Sequence, residues 1–162
     1  MTQPESPTGN PALDALAVAG IRHRPIRHGP VRSLAEAAKA RGVEPADVVK
    51  TLVVRRGDDD FVFVLVPGDR TISWPKLRAV LGVSRLSMPD ADVATAATGY
   101  ARGTITPFGS AKPWPVIADQ RLRGRDVTLG AGEHGLAVAV AADDLVRVFD
   151  AEVADVTDPE RG

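Results

Sequence analysis

The chain has 162 residues, 44% of them hydrophobic and 25% charged, with a net charge of −1 and no cysteine. These values fit one globular domain, exclude disulfides, thiolate metal sites and a cysteine nucleophile, and give no sign of a broadly basic nucleic-acid coat. The longest apolar run, Phe61 to Val66, is too short to cross a bilayer, and the first residues lack the apolar run of a signal peptide, so a soluble cytoplasmic protein with no membrane partner is expected.

Residues 1–9, rich in Pro, Ser, Thr and Gly, read as a disordered tail, and residues 10–158 as one domain. Asn10 is placed to cap a short helix with Pro11 at its first position, a stripe of Leu13, Leu16 and Ala17, and Gly20 as its stop. Ile21 to Arg27 reads as a strand weakened by Pro25. Ser33-Leu-Ala-Glu36 is a capping box, and its helix stops at Gly42. Asp47 to Val54 leads into a strand, Gly57 to Asp60 makes the turn, and Phe61 to Val66 returns; being apolar at every position, the return strand is expected to be buried on both faces. Pro67-Gly68-Asp69 ends it. Ser73 caps a third helix that runs to Gly82, and Asp90 or Asp92 starts a fourth that ends at Gly99. Pro115 to Ala118, Val127 to Leu129 and Leu136 to Val140 read as short strands, Asp143 as the cap of a helix through Val148, and Ala151 to Val156 as a last strand. Helices and strands mix without regular βαβ alternation, which points to an α+β fold around a curved mixed sheet.

Two features bear on chemistry. Thr98-Gly-Tyr-Ala-Arg-Gly-Thr-Ile-Thr-Pro-Phe-Gly109 gathers three glycines and a proline in twelve residues; it is either an ordinary turn or a backbone shaped to present N–H groups to an anion or an oxyanion. Lys50 opens an apolar strand where packing needs no lysine, which suits a phosphate contact or a snorkelling strand end. Carboxylates are absent from Ala15 to Ala35, a segment holding Arg22, Arg24, Arg27, Arg32 and two histidines; this is either a phosphate-attracting face or a solvated surface. The histidines have no metal-ligand spacing, no dinucleotide or Walker motif occurs, and no metal or cofactor is expected. With no marked nucleophile, catalysis would rest on backbone donors, water and groups of the substrate itself.

Lys50-Thr-Leu, Val66-Pro-Gly-Asp69, Thr98-Gly-Tyr-x-x-Gly103-x-Ile-Thr-Pro107-Phe-Gly109 and Ala131-Gly-x-x-Gly135, in that order, together resemble the YbaK/ProX family of aminoacyl-tRNA deacylases, relatives of the editing insertion of bacterial prolyl-tRNA synthetase. The resemblance implies a mixed sheet partly closed like a barrel with helices around it. It also implies a trans-editing hydrolase that removes a small amino acid, such as Ala, Cys or Ser, from mischarged tRNA, with tRNA-Pro the usual theme. Lys50 would face the 3′-terminal phosphate region, and Gly103, Thr106 and Pro107 would shape the reacting site. Thr51, Tyr100, Thr104, Ile105, Phe108, Gly109, Gly132, His134 and Gly135 would bind the substrate, and Arg22, Arg24 and Arg27 the acceptor stem. Thr104 stands where many members carry a second glycine. An aminoacyl-tRNA synthetase is a further expected partner, and the alternative is a non-catalytic tRNA- or synthetase-binding regulatory domain of the same fold.

Overall fold

The computed structural model describes residues 9–160; the expected disordered tail, apart from Gly9, lies outside them. Five helices are set by local chemistry. The Asn10 side chain accepts from the Leu13 N–H at 2.9 Å and opens α1 (Pro11–Ala19). Ser33 accepts from the Glu36 N–H at 3.1 Å and opens α2 (Leu34–Arg41). The Glu36 carboxylate reaches back one residue further than a capping box requires, to the Arg32 N–H. Ser73 and Asp90 cap α3 (Trp74–Leu81) and α4 (Ala91–Thr98). Left-handed glycines at 20, 42, 82 and 99 end these four helices.

The last helix departs from expectation. α5 (Ala142–Phe149) follows directly on β7 (Leu136–Ala141), with Ala141 at its cap and no side-chain cap bond. Asp143 therefore lies inside the first turn, where its carboxylate accepts from the Gly124 N–H at 3.0 Å and Arg123 Nε at 2.9 Å. The Arg125 carbonyl takes the Ala142 N–H at 2.9 Å, so the 123–125 turn satisfies this helix end without a capping side chain.

The strands form three sheets. β2 (Val49–Gly57) and β3 (Asp60–Pro67) make the expected antiparallel hairpin, and β5 (Val116–Asp119) and β8 (Glu152–Ala154) add to β3 in parallel, giving the order β2-β3-β5-β8. A second sheet has the order β1-β7-β6, with β1 (His23–Arg27) and β6 (Asp126–Gly130) both antiparallel to β7. The third pairs β4 (Arg70–Ile72) with β9 (Thr157–Pro159). Neither of these two short polar strands was visible in the sequence, and the expected strand over 151–156 shortens to β8. The mixed α+β layout holds, but the sheets do not close into a barrel: among the described residues the first two share a core yet are bridged only at an isolated parallel pair, Val48 and Thr128.

β3 is the centre of the molecule. Phe61, Phe63 and Leu65 point into one cluster with α1, α4, α5 and the second sheet, while Val62, Val64 and Val66 point into another with α3, Ile72 and Val156. Alternation at period two thus serves two cores, and each fully buried side chain contributes roughly 1.5–3 kcal/mol.

Candidate active site

β2 is an end strand of its sheet, and among the described residues its outer edge is bridged at two points, one at Val48 just before it. Val48 bridges to Thr128, and Arg55 bridges to Ser87. Between these bridges lies a cavity of about 810 Å³. Residues 49–53 form its floor. Ser33, Leu34, Ala37 and Arg41 of α2 form one wall, and Met88 to Ala91 with Ala94 form another; Gly103, Ile105 and Gly130 complete the lining. Of the residues marked out by sequence, Lys50, Thr51, Gly103 and Ile105 come together here.

Arg102 of the same stretch also reaches the cavity, whereas Thr98, Tyr100, Thr104 and residues 106–108 are packed into the protein. Tyr100 is buried and donates its hydroxyl to the Phe108 carbonyl at 2.6 Å; burial pushes the phenol up to about 12. The Phe108 ring meets Phe149 edge-on at 4.7 Å. Thr104 donates its hydroxyl to the Ala101 carbonyl, and the Thr106 hydroxyl accepts from the Phe108 N–H. Thr104, Thr106, Pro107 and Phe108 are all buried and none lines the cavity. Gly109 has φ +69°, and a Cβ there would lie 2.5 Å from the Pro11 carbonyl oxygen; only glycine fits. Gly132 packs under Tyr100, and its N–H donates to the Thr104 carbonyl at 2.9 Å, so the two glycine-rich loops brace each other. Gly135 lies against the His28 carbonyl. His134 is exposed, its ring beside Gly103. Arg22, Arg24 and Arg27 are exposed outside the cavity, and Arg27 pairs with Glu133 at 3.3 Å.

Several main-chain donors expected to hold an oxyanion are therefore in use. The N–H groups of Gly103 and Ile105, both in the lining, have no partner among the described residues. Lys50 lines the cavity, but its Nζ donates to the Arg70 carbonyl. Burial lowers its pKa, while the charges of Glu160 and Asp69 act the other way.

Sequence reasoning missed Arg41. It follows Leu34 and Ala37 at helical spacing, so an apolar stripe ends in a guanidinium on the cavity side; that break in the pattern was the available signal, hidden because a cation in a last turn is ordinary. One Arg41 Nη donates to the Thr128 hydroxyl at 3.3 Å, and its Nε is buried without a partner. Burial lowers its pKa. The Thr51 hydroxyl is also buried and unpartnered. Arg32, Arg41, Lys50 and Arg102 all line this cavity, and among the described residues none forms an ion pair. The one carboxylate in the lining, Asp90, caps α4. Among the described residues no cluster of His, Asp and Glu could hold a metal ion.

The chain is 26% identical over 124 residues to a protein of Enterococcus faecalis named as a candidate Cys-tRNA(Pro)/Cys-tRNA(Cys) deacylase, EbsC, covering 76% of each. It is 36% identical over 93 residues to a proline--tRNA ligase of Thermosipho africanus, covering 57% of this chain but only 16% of that enzyme. A solved structure described as a candidate trans-editing enzyme for prolyl tRNA synthetase superposes with a TM-score of 0.81 at 24% identity, covering 98% of this chain and 99% of that one, so the fold is shared. Residues 28–148 match the aminoacyl-tRNA editing domain, and the chain belongs to that family.

Proposed function

We propose that the protein hydrolyses the ester of mischarged aminoacyl-tRNA in trans, in the cytoplasm, releasing a small amino acid in the cavity beside β2. The observation that carries this reading is the meeting of four cations that form no ion pair among the described residues with small lining residues, Ala91, Ala94, Gly103 and Gly130, in one cavity. A cationic site takes the phosphates of a 3′ end. The small lining residues leave the acyl group room, and editing rather than binding must discriminate, because binding alone separates one methylene by only ~1–3 kcal/mol.

An aminoacyl ester is already activated, so no side-chain nucleophile is required. Water oxygen bonds to the carbonyl carbon, the tetrahedral oxyanion takes the N–H groups of Gly103 and Ile105, and the ester C–O bond breaks. The proton lost by water ends on the ribose hydroxyl that leaves. One such donor contributes about 3–4 kcal/mol in other hydrolases. Lys50, on the cavity floor, contacts the 3′ end once its ammonium leaves the Arg70 carbonyl, and tRNA-Pro is the carrier suggested by the relatives' names. Deacylation of a panel of mischarged tRNAs by wild type and Lys50→Ala tests this; equal rates in both remove Lys50 from the mechanism.

A second reading, a tRNA- or synthetase-binding regulatory domain, is favoured by one observation: the single carboxylate of the lining, Asp90, is occupied as a helix cap, leaving no evident general base. Binding of tRNA without turnover of any ester in the panel would decide for it.

A further inference from the structure

Arg41 is the least explained charge in the molecule. Among the described residues its Nε is buried and unbonded, its only side-chain partner is the neutral hydroxyl of Thr128, and no carboxylate pairs with it. A half-buried guanidinium with one buried N–H unbonded and no counter-ion is costly to keep. A well-packed cavity wall would replace it by an aliphatic residue, as the preceding residues of the stripe, Leu34 and Ala37, illustrate. Lys50, by contrast, already gives its ammonium to the Arg70 carbonyl.

We propose that Arg41 is the anion-binding residue of the cavity and takes a phosphate oxygen of the substrate's terminal nucleotide, with Thr51 supplying a second buried hydroxyl from the floor. A guanidinium matches phosphate better than an ammonium does, because its fork can bond two oxygens at once. The anion is a phosphate rather than a carboxylate because Arg32 and Arg102, both exposed, continue the positive lining toward solvent. A string of cations from interior to rim suits a polyanion that enters end-first. The proposal rests on the cavity being the aminoacyl-ester site and adds the residue that reads its phosphate.

The test compares binding of adenosine 5′-monophosphate and adenosine by calorimetry to wild type, Arg41→Gln, Arg41→Lys and the exposed same-helix control Lys39→Gln, with thermal melts to verify folding. Wild type and Lys39→Gln are expected to prefer the monophosphate by about tenfold or more, the range of a hydrogen bond to a charged group. Arg41→Gln, which can still bond Thr128, should lose that preference, and Arg41→Lys should keep part of it. An unchanged preference in Arg41→Gln, or none in wild type, overturns the assignment. Deacylation kinetics on mischarged tRNA separate the two readings. A raised KM with little change in kcat in Arg41→Gln supports the phosphate role. Normal kinetics in that variant remove the subsite and leave the deacylase standing. A monophosphate preference that depends on Arg41, in a protein that hydrolyses no ester, supports the subsite and removes the deacylase. If Arg41→Gln instead loses only a preference for aspartyl over alanyl esters, the anion is a carboxylate and the phosphate assignment falls.

Discussion

Replacing Gly68 with alanine would place a methyl carbon 2.3 Å from the Pro45 carbonyl oxygen, 2.6 Å from Leu34 Cδ2 and 3.0 Å from the Val48 carbonyl oxygen. Two of these three neighbours are main chain and cannot swing aside. They belong to the short 3-10 turn Pro45–Asp47 and to the residue before β2, while Leu34 lies on α2; all three flank the elements that carry Arg41 and Lys50. Relief requires the turn at residues 67–69 and the α2 segment to part by several tenths of an ångström or more. Overpacking of this kind costs typically ~1–3 kcal/mol, and the rigid neighbours put this case at the upper end. For a domain of this size each kcal/mol moves Tm by roughly 2–4 °C, so a fall of about 6–12 °C is expected in a calorimetric or dichroism melt. Deacylation assayed well below the new Tm should also weaken, mainly through KM, because the wall that bears Arg41 moves relative to the floor. A Gly68→Ala protein melting within about 2 °C of wild type, with unchanged KM, would refute the close-approach reasoning.

Tyr100→Phe should lower stability by about 1–3 kcal/mol, since the Phe108 carbonyl is left buried without its donor; activity measured below the melt should persist, and a selective loss of activity at unchanged stability would return Tyr100 to the substrate site. Asp155 is held at about 2 from an ordinary 3.8, first by its hydrogen bond to Arg121 and then by Lys76. Its folded pKa lies below its unfolded one, so its contribution is complete above about pH 4 and fades as pH falls from there toward 2. Asp155→Asn should flatten that part of an acid-denaturation curve, and an unaltered acid limb would contradict the pairing.

Where the controlling physics is local, the sequence was a good guide. Asn10, Ser33, Ser73 and Asp90 act as caps because a short side-chain acceptor needs only the next turn's N–H. The unbroken apolar run of β3 could only be buried on both sides. The misses are non-local. Arg70-Thr71-Ile72 becomes a strand only because Thr157-Asp158-Pro159 lies beside it, and Asp143 was displaced from its cap by a turn eighteen or more residues away. The Thr98–Gly109 stretch was correctly singled out as a shaped backbone, yet most of its special residues serve a brace made of Tyr100, Gly109, Gly132 and α1. Only Arg102, Gly103 and Ile105 of this stretch emerge into the cavity. Composition reveals that a segment is constrained, not which neighbour constrains it.

The uncovered edge of β2 carries a hazard as well as an opportunity. A bare strand rim is a template on which a second chain can add, the first step of aggregation. Here the rim is clamped at both ends, by Thr128 and by Ser87. Four like charges ring the gap and would repel another copy bearing the same ring. The rim is thus guarded against self-association by its clamps and by its sign.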